Sequence, residues 1–479
     1  MKIESIDITK SIEDIKEQIA KDETISESLR LAIELLIVIT TLLVNKLRIN
    51  SSNSSKPPSQ DPNRKKSKKS TGTKRKPGAQ KGHKGITLKK SDNPDEIKNL
   101  SIDRRTIPSG NYTNVGFDSR QVFDIKISTY ITEYRAEILE DENGKQFVAS
   151  FPEDVTRAVQ YGNGVRAQSV YMSIFQLIPL DRIIDYFKEQ TGLPVSKGSI
   201  SNFKKAAYKK LEQISFKRWA SMRLLNANVN NADETGININ GKRMWLHCLS
   251  NDRCVLYHPD TKRGKEAMDR MGILQDYGGV LCHDHWKPYY QYKKCRHSLC
   301  NSHHLRELQR AYEQDNQLWA KEIQDLLIEI NNVMIETEKD VLSNSAIKSY
   351  QQKYRDILTK GEKECPLDNQ ISTTKIAEKK RGRVKKSKSR NLLERLINYE
   401  EDTLRFMKEP EVPFTNNAGE NDLRMTKVHQ KISGCFRSKE GAEEFSLIRS
   451  YLVTARKNDM GPSEALRVLF SGEMPSFMK

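Results

Sequence analysis

Apolar positions recur along this chain at two different periods, and the places where the period changes divide it into segments. Residues 3–48 alternate charged and apolar positions with helical period and end in the run LAIELLIVITTLLV (31–44). This pattern predicts a helix made to pack against another helix; residues 1–50 are read as a helical oligomerisation segment, with a helix packed on its own domain as the alternative. From residue 51 the apolar pattern stops. The stretch SSNSSKPPSQDPNRKKSKKSTGTKRKPGAQKGHKG (51–85) is mostly Ser, Pro, Gly, Lys and Arg. Such a segment cannot bury enough apolar surface to order itself, so 51–95 is expected to be a basic disordered arm. A period of two returns in VFDIKIS and TYITEYRAEIL, with DENG (141–144) as a turn, and residues 96–160 are read as a small β-rich module. The period then turns helical. DRIIDYFKEQ, the linker TGLPVS and KGSISNFKKAAYKKL predict two helices across a turn at Gly192, with Ser196 capping the second. This helix-turn-helix-like region (161–222) is compatible with DNA reading through Lys204 and Lys205, and equally with an ordinary packed hairpin.

From residue 223 the texture is α/β. NANVNNADETG reads as a strand reaching an acidic turn, followed by strands in RMWLHCLS and CVLYH and a helix in KEAMDRMGIL. GGVLCHD and RHSLC supply two more strands, so 223–312 forms the first part of a mixed-sheet core. Residues 313–412 are mostly helical and polar, an insertion interrupted by KKRGRVKKSKSR (379–390), where eight of twelve residues are basic. A helical C-terminal part of the core occupies 413–479. The fold class is multidomain α/β.

Charge adds a partner to this picture. Lys and Arg number 81 against 63 Asp and Glu, a formal net charge of +18. The excess is clustered: Arg64 to Lys90 holds twelve Lys or Arg and no acid. Clustered cations of this kind bind phosphates by counterion release, without reading sequence; a solubilising linker is the bland alternative. The candidate DNA contacts are Lys65, Lys66, Lys68, Lys69, Arg75, Lys76, Lys81 and Lys84 in the arm, and Arg383, Lys385 and Lys386 in the second basic run. Seven cysteines, an odd number lying between Cys248 and Cys435, do not make a secreted disulfide framework, which points to a reducing cytoplasm. The 31–44 run contains Glu34 and is shorter than the roughly 20 residues of a membrane span, so no membrane partner is expected.

Three carboxylates stand where such a fold exposes groups: Asp233 in ADETG, Asp284 in VLCHDHWKPYY and Glu420 in NNAGENDLR. Hard oxygen ligands suit Mg²⁺ or Mn²⁺, and two such ions about 3.5–4 Å apart activate an attacking oxygen and stabilise a leaving one on a phosphodiester. Each carboxylate also has an ordinary reading. Asp233 and Glu234 fit a turn, Asp284 fits a cap for Trp286 to Tyr290, and Asn417-x-x-Glu420 fits a capping box. In a helix, Arg424, Lys427 and Lys431 share a face with Glu420 and could hold a DNA backbone. A separate possibility is zinc, from the dense set Cys282, His283, His285, Cys295, His297, Cys300, His303 and His304, although the spacings are irregular and strand alternation would point several of them apart.

The ordered set NSSKPPSQD with RKPGAQKGHKG, then ADETG, VLCHDHWKPYY, CNSHHLREL and NNAGENDLR, resembles the transposases of the insertion-sequence-66 family over essentially the whole chain. The resemblance implies a DDE transposase with a ribonuclease-H-like catalytic core. It would cleave element ends with Mg²⁺ (or Mn²⁺), two ions being expected, and transfer strands into target DNA. It implies that Asp233, Asp284 and Glu420 are the catalytic, metal-holding triad, and that Cys300 and His303 are an accessory C-x-x-H pair. Implied partners are double-stranded DNA, further copies of the chain in a dimer or larger assembly, and accessory element proteins; the implied compartment is the bacterial cytoplasm, at the nucleoid. The family's small zinc module has no counterpart ligands here, since 91–160 lacks cysteine. Two rivals remain: an inactive DNA-binding regulator derived from a transposase, and a zinc-dependent hydrolase.

Overall fold

The structure, a computed structural model, describes residues 2–3, 6–22, 24–54, 61, 88–337, 342–366 and 386–479. Most of the expected arm, with Lys65, Lys66, Lys68, Lys69, Arg75, Lys76, Lys81 and Lys84, lies outside the described residues, as do Arg383 and Lys385. The chain falls into two compact units, 1–65 with 151–185 and 195–479, and 66–150 with 186–194.

The larger unit opens with a two-residue pairing of β1 (Lys2–Ile3) and β2 (Ile6–Asp7), then α1 (Ile8–Lys21) and α2 (Glu27–Leu47). The apolar run 31–44 lies within α2, where only Ile37 and Val44 are buried. No helix among the described residues is long and apolar enough to cross a membrane.

The expected β-rich module is corrected. Between 96 and 160 the only strands are β3 (Ile138–Glu140) and β4 (Gln146–Val148), one hairpin closed over the DENG turn. VFDIKIS forms no strand, and Phe117, Val122, Ile125 and Tyr130 are each at least 84% exposed. Alternation gives a segment one apolar face, but three-residue strands leave nothing for that face to cover.

Four helices follow: α3 (Asn163–Val170), α4 (Leu180–Thr191), α5 (Lys197–Gln213) and α6 (Phe216–Leu225). Ser196 caps α5 as expected, its Oγ accepting the Ser199 N–H at 3.0 Å. Ile200, Phe203, Ala207 and Leu211 are all buried, so the apolar stripe of α5 is used in packing.

The core sheet is built from β5 (Val229–Ile239), β6 (Lys242–Ser250), β7 (Val255–Asp260), β8 (Val280–His283) and β9 (Arg296–Leu299), with α7 (Lys265–Met271) between β7 and β8. Their order is β7-β6-β5-β8-β9; β5, β6 and β7 are antiparallel, while β8 and β9 run parallel to β5. All four residues of β8 are buried, as expected for a parallel strand covered on both faces. Helices α8 (Asn301–Asp315), α9 (Leu318–Glu336), α10 (Asn344–Glu364), α11 (Lys388–Asn398) and α12 (Glu400–Lys408) form the stretch before the last carboxylate. They do not close on themselves alone. One core runs from Val280 and Cys282 of β8 through Leu308 to Trp319, Leu327, Tyr354 and Leu393.

The chain returns to the sheet with α13 (Asn417–Ser433), α14 (Lys439–Lys457) and α15 (Pro462–Ser471). Helix α14 covers the edge strand β7, and its buried hydroxyls take the edge amides. Thr454 Oγ1 accepts from Val255 N–H at 3.1 Å, and Ser450 Oγ from Tyr257 N–H at 3.0 Å. An exposed sheet edge is thereby blocked without leaving its donors unpaired.

Candidate active site

Strand register brings the first two carboxylates together. Strands β5 and β8 pair Val229 with Val280, Asn230 with Leu281 and Asn231 with Cys282. Continuing two residues along each strand reaches Asp233 and Asp284, side by side where β8 ends. The expected acidic turn at ADETG is corrected here: β5 runs on through Asp233 to Ile239, paired with β6 all the way to Lys242. Asp233 is therefore held inside a strand, not at a loop tip.

The third carboxylate arrives on α13. A Cβ on Gly419 would lie 3.2 Å from Asn231 Cβ and 3.1 Å from Asn416 Oδ1, so glycine is what lets this helix approach β5 closely. Asn416 fastens the helix start to the sheet, its Nδ2 donating to Ala232 O at 2.9 Å. The capping-box reading of Glu420 does not survive. Asn416, not Asn417, is the N-cap, and its N–H donates to Cys300 Sγ at 3.2 Å. Glu420 is thus past the box position, and its Oε1 is buried without a partner in the protein. Asp284 keeps part of its ordinary reading: its Oδ1 accepts the Trp286 N–H at 3.0 Å.

Burial pushes Asp233 up to about 8, reinforced by the negative charges of Glu234, Asp284 and Glu420 and opposed by the Glu234 amide, which donates to its Oδ1 at 2.8 Å. Strand alternation sends Glu234 to the other face of β5. There its side chain is 2% exposed. Arg263 donates to Oε1 through Nη2 at 2.6 Å and Nε at 3.0 Å, and Tyr289 OH donates to Oε2 at 2.7 Å. The Arg263 guanidinium lies between two indoles, 4.8 Å from the Trp245 centroid and 4.4 Å from that of Trp286. Glu234 is committed to this network, which leaves Asp233 as the carboxylate free to act. Sequence reading missed Arg263, Tyr289 and Asn416; the aromatic density of HWKPYY was the one local hint.

The Cys/His set disperses. Cys282 joins the helical core, while His283 Nε2 and His297 Nδ1 share a hydrogen bond at 3.1 Å. The His285 ring packs on Tyr399, and His304 Nδ1 meets Asn301 Oδ1 at 3.1 Å. Cys295 Sγ lies 4.0 Å from His297 Nε2. Among the described residues, one group of three ligand atoms converges: Cys300, His303 and Glu420, all within 4.8 Å of one another. Burial, with Arg306, holds His303 below its ordinary value against the pull of Glu420 and Asp284.

The expected DNA contacts divide. Arg424, Lys427 and Lys431 are exposed along α13, with Lys427 Nζ donating to Gly236 O at 2.7 Å. Lys205 is exposed, but Lys204 is half-buried near Glu444, and burial lowers its pKa. Lys386 is taken by an ion pair with Glu394 at 2.5 Å. A lysine so paired is a poor phosphate ligand.

Residues 158–444, more than half of the chain and containing all three carboxylates, match the family model described as "Transposase IS66 family". Residues 8–89 match one described as "Family of unknown function (DUF6444)". No curated protein matches the chain.

Proposed function

The chain belongs to the IS66 transposase family, and we propose that it is a DDE enzyme that cleaves the ends of an insertion sequence and transfers the strands to target DNA, with Asp233, Asp284 and Glu420 as its catalytic carboxylates. The observation that carries the reading is that β5, β8 and α13 bring Asp233, Asp284 and Glu420 within electrostatic reach of one another: burial, with the negative charges of Glu234, Asp284 and Glu420, raises the Asp233 pKa to about 8. Such an arrangement is costly unless a cation relieves it, and its all-oxygen donor set fits Mg²⁺ or Mn²⁺. The mixed sheet, the helical stretch before Glu420 and the return of α13 onto β5 support a ribonuclease-H-like core. They fit the transposase reading better than the zinc-hydrolase one, because most of the Cys/His set lies apart.

Two divalent ions held by these carboxylates would activate a water or a 3′-hydroxyl and stabilise the leaving oxygen. The protein's own part is positioning. β5 and β8 fix Asp233 and Asp284 as neighbours, the Trp286 amide orients one Asp284 oxygen, and Gly419 seats Glu420. Asp233 would hold a cation as the carboxylate, its proton passing to solvent. Arg424, Lys427 and Lys431 stand on α13 to hold the phosphate backbone, and Arg263 keeps Glu234 turned away from the reaction.

Glu420→Gln tests the assignment, since it keeps the shape and removes the charge. Mg²⁺-dependent nicking of an end-containing duplex should disappear, while DNA affinity and melting temperature change little. A folded Glu420→Gln protein that nicks at near-normal rate would remove Glu420 from the triad.

A further inference from the structure

Glu420 has neighbours of a different chemical kind on its other side. Cys300 immediately precedes α8, His303 lies in that helix's first turn, and their ligand atoms and a Glu420 oxygen all fall within 4.8 Å of one another. His303 Nδ1 and Glu420 Oε1 are 3.8 Å apart, too far for a hydrogen bond. Both atoms are buried and neither has a partner in the protein. Two facing polar atoms left unpaired call for something between them. We propose that Cys300, His303 and Glu420 form a site for a thiophilic divalent cation of the Zn²⁺ class, distinct from the hard-cation site, and that filling it withdraws Glu420 from catalysis.

The donor set decides the ion. Sulfur and imidazole select Zn²⁺ over Mg²⁺, and three protein ligands with a water complete a tetrahedron. Metal–ligand lengths of about 2.0–2.3 Å put the edges of that tetrahedron at about 3.3–3.6 Å, so the side chains need close by only roughly 1 Å. His303 is already in the neutral form a ligand requires, since burial keeps its pKa low. Burial raises the Cys300 thiol above its ordinary value, against the amides of Asn416, His303 and Ser302, so the metal itself must draw off the proton, which passes to solvent as the ion binds. One Glu420 oxygen then belongs to the soft ion, and a carboxylate so engaged no longer serves the Asp233 and Asp284 side. The binding rests on these three side chains alone; the inhibition also rests on the role proposed for Glu420.

Co²⁺, titrated into the full chain, reports the site by a thiolate-to-metal absorption band in the near ultraviolet. The expected result is one equivalent bound, a band lost in Cys300→Ser and kept in Cys435→Ser, and displacement by Zn²⁺ but not by Mg²⁺. His303→Gln, checked by circular dichroism, keeps the thiol and should weaken Co²⁺ binding roughly tenfold or more, which decides the matter should Cys300→Ser not fold. No band, a band that survives in Cys300→Ser, or unchanged affinity in His303→Gln would overturn the site. Zn²⁺ should also suppress Mg²⁺-dependent nicking reversibly, and undiminished nicking by Zn²⁺-loaded protein would overturn the inhibition. Absence of nicking under all conditions would count against the catalytic reading instead, leaving the cobalt spectrum to judge the site.

Discussion

Asp233 pits function against stability at a single residue. Its carboxyl is buried among three other carboxylates and, without a cation, stays protonated up to about pH 8. Because the folded value lies above the unfolded one, this group's contribution to stability is full below the ordinary carboxylate range and is lost as pH rises toward 8, by about 1.4 kcal/mol per pH unit. Asp233→Asn removes that loss. In metal-free protein the variant should melt above wild type, by a margin that grows from about pH 4 to pH 8 and then levels off, while nicking is abolished. Calorimetry across that range checks it, and a variant that melts below wild type at pH 8 would contradict the assigned environment. The three carboxylates were legible in the sequence because each sits in a short motif. Their supports were not, since Arg263 is 29 positions from Glu234 and Asn416 is 184 from Ala232. Local spacing carries no information about partners that meet only in the folded sheet.

Strands and helices of the core were legible wherever apolar period and turn residues agreed, as in β6, β7, α7 and β8. They were misread where tertiary pairing overrode a local signal. Asp233 and Gly236 suggest a turn, yet continuous pairing with β6 carries β5 through both. Between 96 and 160 the error ran the other way, since alternation promised strands for which, beyond the β3–β4 hairpin, the described residues supply no partner strands. Gly279, just before β8, offers a test of how the site's strands are set. A Cβ there would lie 2.5 Å from Ala227 O and 2.6 Å from Asn228 O, as well as against the Tyr277 hydroxyl. Backbone carbonyls cannot swing aside as a side chain can. Gly279→Ala should therefore cost about 2–3 kcal/mol in urea unfolding and lower nicking, by spoiling the β5–β8 register that aligns Asp233 with Asp284. A variant with an unchanged unfolding midpoint would show that this close approach does not fix the register.

At the scale of the whole chain, the net charge of +18 and the unpaired apolar surface point to two different partners. For the charge we expect DNA as the partner. Deleting residues 56–90 should flatten the dependence of log binding constant on log salt by about 0.9 for each phosphate the segment neutralises, and an unchanged slope would reduce that segment to a spacer. For the apolar surface we expect a second copy of the chain as the partner. Only Ile37 and Val44 of α2 are buried, while Leu29, Leu36 and Leu43, seven residues apart, and the neighbouring Leu35 and Leu42 are each at least 52% exposed. Leucines at heptad spacing make a stripe that complements itself, so two α2 helices can cover what one chain leaves open. The replacement of both Leu36 and Leu43 by Glu puts charges in the middle of that stripe without touching Ile37 or Val44. Sedimentation of the full chain should show a dimer or larger species at micromolar concentration, and the doubly substituted chain should sediment as a monomer with its helix content intact. If wild type already sediments as a monomer, or if both sediment alike, the stripe is not a surface for self-association.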